Sequence, residues 1–126
     1  MENNIPTEAE EQITFVDWLE TKKLKFTAIP NSTYTSSWFQ KRNNTNLGLR
    51  PGLPDILVIV PGEEGVHHLL FIEMKRKKRS KTSEEQKAWI EALNMCPNVE
   101  ARVCEGFDKA VAFVEEFLSS DAEGTV

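Results

Sequence analysis

Two carboxylates and an amine stand beside two apolar runs in the middle of the chain. Asp55 precedes the apolar residues 56–60, and Glu73 and Lys75 follow the apolar residues 69–72. If the runs are neighbouring strands of a hairpin, all three side chains reach one end of a sheet, with Glu73 and Lys75 on the same face. Such a group can hold a divalent cation and handle a proton, which is the equipment for metal-assisted hydrolysis of a phosphodiester.

The simpler interpretation of Glu73 and Lys75 is a salt bridge at the end of a strand. Burying a glutamate after an apolar run requires a cation, and either Lys75 or a metal ion could supply the charge. Asp55 and the bases around it favour a functional site, because several chemically suited parts then converge. Gln86 lies three residues after Ser83, so it either only closes a capping box or also orders Lys75 or a water.

A further oxygen ligand is expected from the first helix. Thr7 is a suitable N-cap for that helix, with Glu10 three residues on. The apolar face of the helix, extended back from Leu19, reaches both Glu8 and Glu11, whereas Glu10 points further away. The pattern leaves Glu8 and Glu11 as equal candidates.

Charge is distributed unevenly along a chain whose net charge is −5. Residues 1–20 carry six acids and no base, residues 21–82 carry twelve bases and four acids, and residues 83–126 carry three bases and ten acids. A basic middle third around a suspected metal centre suits a polyanion, although a charge run can also be a solvated face. The candidate phosphate contacts are Lys41, Arg42, Arg50, Arg76, Lys77, Lys78, Arg79 and Lys81.

Residues 31–51 form the least regular region, and we expect a long loop with a helical turn at about residues 36–43. Trp38 and Tyr34 could stack on unpaired bases. Core packing is the expected fate of Trp38, because a large aromatic side chain gains most by burial.

The elements predict an α/β (α+β) fold, with a central mixed sheet flanked by helices in the order α-β-loop-β-β-α-β-α. One domain should span residues 1–126, with a core at about 7–118 and an acidic C-terminal tail at 119–126. The two apolar runs are expected to be central strands covered on both faces. Helices are predicted at 7–21, from Ser83 to before Pro97, and at 108–118; strands at 24–29, 56–60, 69–73 and 99–104.

No membrane span or secretory leader is expected, since the apolar runs are only strand length and the first residues are acidic. Cys96 and Cys104 lack metal-ligand spacing, so reduced thiols in the cytoplasm are the better interpretation.

With Asp55, Glu73 and Lys75 in place, the chain resembles the PD-(D/E)XK nuclease superfamily. More narrowly, it resembles a stand-alone VRR-NUC domain, the virus-type replication-repair nuclease module. The resemblance covers about residues 7–118 and implies the restriction-endonuclease-like αβββαβα core. It rests on residues 52–55 (Gly-Leu-Pro-Asp), 71–75 (Phe-Ile-Glu-Met-Lys), Ser83 with Gln86, and 7–12 (Thr-Glu-Ala-Glu-Glu-Gln).

The resemblance implies a Mg²⁺- or Mn²⁺-dependent endonuclease. Asp55 and Glu73 would bind the metal, helped by the Met74 carbonyl. A glutamate of the first helix would complete the shell. Glu8 fits the family spacing, but Glu11 stands where the family often has an apolar residue, so the choice between them stays open.

Lys75 would then orient or deprotonate the attacking water or stabilise the phosphate, with Gln86 as the fourth catalytic residue. Similar stand-alone domains are homodimers that cut branched DNA such as Holliday junctions in replication, repair and recombination. The resemblance implies the same partners here, in the cytoplasm of a bacterial or phage-infected host cell. A non-catalytic DNA-binding or docking module is the alternative, and a sequence-specific restriction-type nuclease ranks lower.

Overall fold

The computed structural model of this chain describes residues 5–30, 37–78 and 80–118. The predicted order of elements is confirmed within these residues, together with the mixed sheet flanked by helices. Two elements extend further than expected: residues 38–46 form a complete helix, and the third strand runs two residues beyond Glu73. The elements are α1 (Glu8–Lys22), β1 (Lys25–Ala28), α2 (Trp38–Asn46), β2 (Ile56–Val60), β3 (His68–Lys75), α3 (Glu84–Asn94), β4 (Val99–Glu105) and α4 (Phe107–Phe117).

The four strands lie side by side in the order β1-β2-β3-β4. β1 and β3 both pair antiparallel with β2, whereas β4 pairs parallel with β3. A 3₁₀ turn at Glu63–Gly65 joins β2 to β3. The hairpin that the sequence predicts is therefore present, and its two strands occupy the centre of the sheet.

One face of this sheet carries the hydrophobic core. α1 and α4 pack against each other and against this face. The alternate residues of β2 and β3 that point to it are fully buried, as the strand period of two requires. The core cluster includes Phe15, Leu19, Ile56, Val58, Val60, Leu70, Ile72, Met74, Phe113 and Val114.

The opposite face is covered less completely. α3 packs there mainly against β4, so Leu57 and Ile59 of β2 are only half-buried. Leu69 and Phe71 of β3 are half-buried on the same face, so the prediction that both central strands are covered on both faces was wrong. The half-open surface lies on the side of the sheet to which Glu73 and Lys75 point, because they alternate with the buried Ile72 and Met74.

Capping boxes define the first turns of α1 and α3, the helices that carry Glu8 and Gln86. At the start of α1, the Thr7 hydroxyl accepts from the Glu10 amide at 3.1 Å, and the Glu10 carboxylate accepts from the Thr7 amide at 2.8 Å. At the start of α3, Ser83 and Gln86 make the same reciprocal pair at 3.1 and 2.9 Å. The local sequence thus sets where both helices begin.

α2 is more exposed than the other described helices, because all of its nine residues are exposed except the half-buried Asn44. Trp38 is 61% exposed, so the expectation that it packs in the core was wrong. The physical reason is that α2 has apolar side chains only at its first two positions, Trp38 and Phe39. It therefore lacks an apolar stripe with which to pack.

No helix in the part of the chain described here has the length and apolar character needed to cross a membrane. Cys96 is exposed, Cys104 is buried, and both are free thiols, as predicted. Burial raises the pKa of the Cys104 thiol to about 12, so this thiol stays protonated at neutral pH.

Candidate active site

Asp55 and Glu73 face each other at one end of the central hairpin. The ladder ends with the pair Ile56 and Ile72, and Asp55 and Glu73 are the adjoining residues of the two chain segments just beyond that pair. The Asp55 amide donates to the Ile72 carbonyl at 3.0 Å, and the Met74 amide donates to Asp55 Oδ2 at 2.8 Å. Strand pairing therefore brings the two carboxyl groups together. The Ile72 carbonyl holds the Asp55 backbone, and the Met74 amide holds its side chain.

Glu73 is almost completely buried, at 2% exposure. Its Oε2 accepts from Gln86 Nε2 at 2.6 Å and lies 3.6 Å from Lys75 Nζ. Its Oε1 is buried and has no hydrogen-bond partner among the described residues. Burial, reinforced by the Asp55 charge and partly offset by Lys75, raises the pKa of Glu73 to about 7.

Asp55 shows the same imbalance between burial and positive charge. Burial raises its pKa above the ordinary value, although the Met74 amide and the Lys75 charge oppose that rise. The side chain of Lys75 is only 11% exposed. One ammonium group therefore stands among carboxyl groups that it does not fully compensate.

Glu8 and Glu11, which the sequence leaves as alternatives, are directed to different places. Burial and the charge of Asp55 raise the pKa of Glu8, and Lys75 lowers it, so Glu8 lies within the electrostatic reach of the pair on the sheet. Glu11 is 5% exposed, and its Oε1 accepts from the Phe107 amide at 2.7 Å. Glu11 thus binds an unpaired amide at the start of α4, where a carboxylate is favoured.

Gln86 closes the capping box and also bonds a site residue, which is Glu73 and not the predicted Lys75. Its Oε1 accepts from the Ser83 amide while its Nε2 donates to Glu73. The bond goes to Glu73 rather than to Lys75, so Gln86 is a positioning residue for the glutamate. The Met74 amide is used by Asp55, the Met74 side chain is buried in the core, and a role for its carbonyl stays a prediction.

Residues 2–108 match the family model of the VRR-NUC domain. The chain belongs to the VRR-NUC family. The resemblance inferred from the motifs is thereby confirmed, and with it a nuclease-type fold.

One solved structure supports the fold of this VRR-NUC domain. A "VRR_NUC domain protein" superposes with a TM-score of 0.70 at 23% sequence identity, over 90% of this chain and 88% of the other. Among curated proteins, no significant match was found. At this identity, the structural likeness concerns the fold alone.

The loop that delivers Asp55 is clamped to α3 by residues whose role the sequence motifs do not reveal. Trp89 Nε1 donates to the Pro51 carbonyl at 2.9 Å. Gly52 has a φ of +104°, and an added Cβ would lie 2.7 Å from the carbonyl carbon of Glu85. Gly52 belongs to the family motif, and its close approach to α3 explains why only glycine fits there. Nothing in the sequence pattern distinguishes Trp89 from an ordinary core residue.

Among the predicted phosphate contacts, those that follow β3 differ in their surroundings. The Arg76 guanidinium is half-buried and donates to the Ile5 carbonyl at 3.3 Å, and its Nε is buried with no partner in the described residues. Lys77 pairs with Asp108 at 3.5 Å. Lys78 and Lys81 are exposed, and Arg79 lies outside the described residues.

The remaining predicted phosphate contacts lie on α2 and in the loop after it. Lys41 and Arg42 are exposed on α2. Arg50 is also exposed, and its NH1 donates to the Thr45 carbonyl at 3.1 Å. The basic residues thus form two groups, one after β3 and one around α2, and DNA contact by either group stays a prediction.

A divalent cation suits this VRR-NUC site chemically. As the side chains are placed, no three acidic, histidine or cysteine residues within 5–30, 37–78 and 80–118 stand close enough to enclose a metal ion. Asp55 and Glu73 nevertheless offer hard oxygen ligands, and Glu73 Oε1 is a buried acceptor without a partner. The raised pKa values of Asp55, Glu73 and Glu8 indicate a deficit of positive charge that a cation would relieve.

Proposed function

We propose that this VRR-NUC domain is a metal-dependent endodeoxyribonuclease that hydrolyses phosphodiester bonds in branched DNA. The observation that carries the proposal is the meeting of Asp55 and Glu73 on adjacent strands, with Lys75 beside them and one buried Glu73 oxygen left without a partner. A purely structural ion pair would not require a second, half-buried acid at the same place.

Four groups would hold Mg²⁺ or Mn²⁺ in this proposal: the Asp55 and Glu73 carboxylates, the Met74 carbonyl and, from α1, Glu8. Glu8 is preferred to Glu11 because Glu11 is bonded to the start of α4. The bound ion would lower the pKa of a water and neutralise charge on the phosphate.

The chain itself contributes orientation and a fixed positive charge. Lys75 Nζ, held 3.6 Å from Glu73 Oε2, would donate to the attacking water or to a non-bridging phosphate oxygen, where negative charge develops. Gln86 holds Glu73 Oε2 and leaves Oε1 without a hydrogen-bond partner among the described residues. The Met74 amide holds Asp55 in the same way. These bonds are in place before substrate binds, which limits reorganisation during the reaction.

The choice of DNA rests on the charge of the surrounding surface and on the family resemblance. Exposed lysines and arginines on α2 and after β3 would bind phosphates and position the DNA strand without reading its base sequence. Branched DNA, including Holliday junctions, action as a homodimer, and a role in replication, repair or recombination are carried over from the family.

Replacing Asp55 with asparagine tests the proposal. Purified protein is incubated with labelled four-way, flapped and linear DNA in Mg²⁺, Mn²⁺ or EDTA. We expect Asp55→Asn to lower cleavage by about a thousandfold, while DNA binding measured in EDTA stays within about twofold, because phosphate contacts supply most of the affinity. Asp17→Asn, an equivalent change at an exposed position of α1, should cleave normally. Metal-dependent cleavage that survives in Asp55→Asn would refute the assignment.

A non-catalytic DNA-docking module is the second candidate function. The observation in its favour is that Glu73 already has Lys75 and Gln86 as partners. The same experiment separates the two functions, since a docking module would bind the DNA panel and cut none of it with either metal.

A further inference from the structure

α2 presents two aromatic side chains to solvent. Trp38 is 61% exposed and Phe39 is 77% exposed. Their rings meet edge to face with centroids 5.4 Å apart, and the Arg42 guanidinium lies 5.0 Å from the centre of the Trp38 ring. We call these three residues the α2 platform. Its rings hold one another in place, although no residue of the helix is buried.

The charge around the α2 platform favours a polyanionic partner. Residues 21–54 contain six lysines and arginines and no acid. Lys41, Arg42 and Arg50 of this segment lie exposed on α2 or just after it. A partner that offers flat apolar rings beside negative charge would satisfy both features, and unpaired nucleotides have that chemistry. A protein partner would have to combine apolar and acidic surface.

The α2 platform is also tied to the candidate active site. Gly52 packs on Glu85, next to the Gln86 that bonds Glu73. Gly52 stands six positions after Asn46, the last residue of α2, so the end of α2 lies within about 22 Å of that clamp. Three further residues lead to Asp55. Trp38 begins α2, about 12 Å from Asn46, so the α2 platform lies within about 45 Å of Asp55. Fewer than one and a half turns of duplex, at about 34 Å a turn, cover that distance.

We infer that the α2 platform binds unpaired DNA bases by stacking them on Trp38, and that this contact favours branched or gapped DNA over continuous duplex. Bases inside a duplex already stack on each other, so only unpaired bases have a free face for the indole ring. The Arg42 guanidinium adds a cation over the ring. The inference rests on the proposed function for its choice of nucleic acid, but it does not require cleavage.

Equilibrium binding in EDTA tests the inference without any catalytic step. Two DNA molecules with identical ends are compared, one fully paired and one with a short single-stranded gap that contains 2-aminopurine. We expect Trp38→Ala to weaken binding to the gapped DNA by about tenfold and to remove the protein-induced change in 2-aminopurine fluorescence. Binding to the paired DNA should stay within about twofold, and Trp38→Phe should keep most of the gap preference.

Leu47→Ala is the matched control, because Leu47 is 78% exposed just after α2 and has no ring. It should change neither affinity. An equal loss on gapped and paired DNA by Trp38→Ala would overturn the inference. So would an unchanged DNA preference with loss of self-association by light scattering, which would make α2 an interface between protein copies. Failure of the nuclease assignment looks different, because it appears as cleavage that survives in Asp55→Asn.

Discussion

The end of the central hairpin and α2 present their side chains in opposite ways. At the hairpin end, Asp55 and Glu73 are held by strand pairing and by bonds from Met74 and Gln86. On α2, the side chains are exposed and the helix starts from a cap at Ser37. A buried arrangement fixes geometry for chemistry, whereas an exposed one is free to meet a large substrate.

The two regions also differ in what they contribute to stability. A carboxylate that is buried with too little positive charge beside it destabilises the folded state. The raised pKa of Glu73 reflects that destabilisation. α2 buries nothing, so changes in it should leave the free energy of unfolding almost untouched. Substitutions at the hairpin end should therefore alter stability and chemistry together, and substitutions on α2 should alter binding alone.

The largest effect on stability is expected from Glu73→Gln. The pKa of Glu73 rises from 4.5 to about 7 on folding, so the native state holds a proton that the unfolded state releases. The free energy of unfolding is therefore highest below pH 4.5, and it falls by about 3 kcal/mol as the pH rises through 7. Glutamine cannot ionise, so in EDTA the variant should gain roughly that much over the wild type at pH 8 and little at pH 4.5.

Urea unfolding at the two pH values measures this gain, and cleavage assays should show that the more stable variant is inactive. Glu91→Gln, an exposed glutamate on α3, is the control and should change neither property. A loss of stability at pH 8 in Glu73→Gln would mean that the glutamate is compensated, and the contrast with α2 would disappear.

The next largest effect should distinguish the role of Glu8 in metal binding from the role of Glu11 in stability. Glu8→Gln should weaken Mn²⁺ binding by calorimetry about 10- to 100-fold without lowering the unfolding temperature. Glu11→Ala should instead destabilise the fold by about 1–3 kcal/mol, because it leaves the Phe107 amide without its acceptor. Metal binding by folded Glu11→Ala should match the wild type. The reverse pattern would assign the metal-binding role to Glu11.

The hairpin end was largely predictable because it follows from local rules. The period of two along a strand places Glu73 and Lys75 on one face, and a short turn fixes the pairing of Ile56 with Ile72, which brings the adjoining Asp55 close to Glu73. Ser83 and Gln86 likewise reveal the start of α3 through a spacing of three residues. Each of these contacts depends on neighbours in sequence or on a single hairpin.

The features that the sequence left open depend on distant contacts or on packing that does not occur. Glu8 and Glu11 share a helical face, and only the arrival of α4, 96 residues later in sequence, separates them. Trp38 is of a residue type that often packs in cores, but its helix has no second apolar turn with which to pack. Amphipathic periodicity over the whole helix was the better guide than the size of one side chain.

The smallest effect is expected from Lys41→Gln on α2, and it tests whether the exposed region acts through charge. Removing one phosphate contact should weaken DNA binding about fivefold near physiological salt, equally for different base sequences, and lower the salt dependence by about one counterion. Lys109→Gln, at an exposed position of α4, should bind as the wild type does. If Lys41→Gln changed the cleavage rate at saturating DNA instead of the affinity, α2 would act within the chemical step. The division between a region for chemistry and a region for binding would then be wrong.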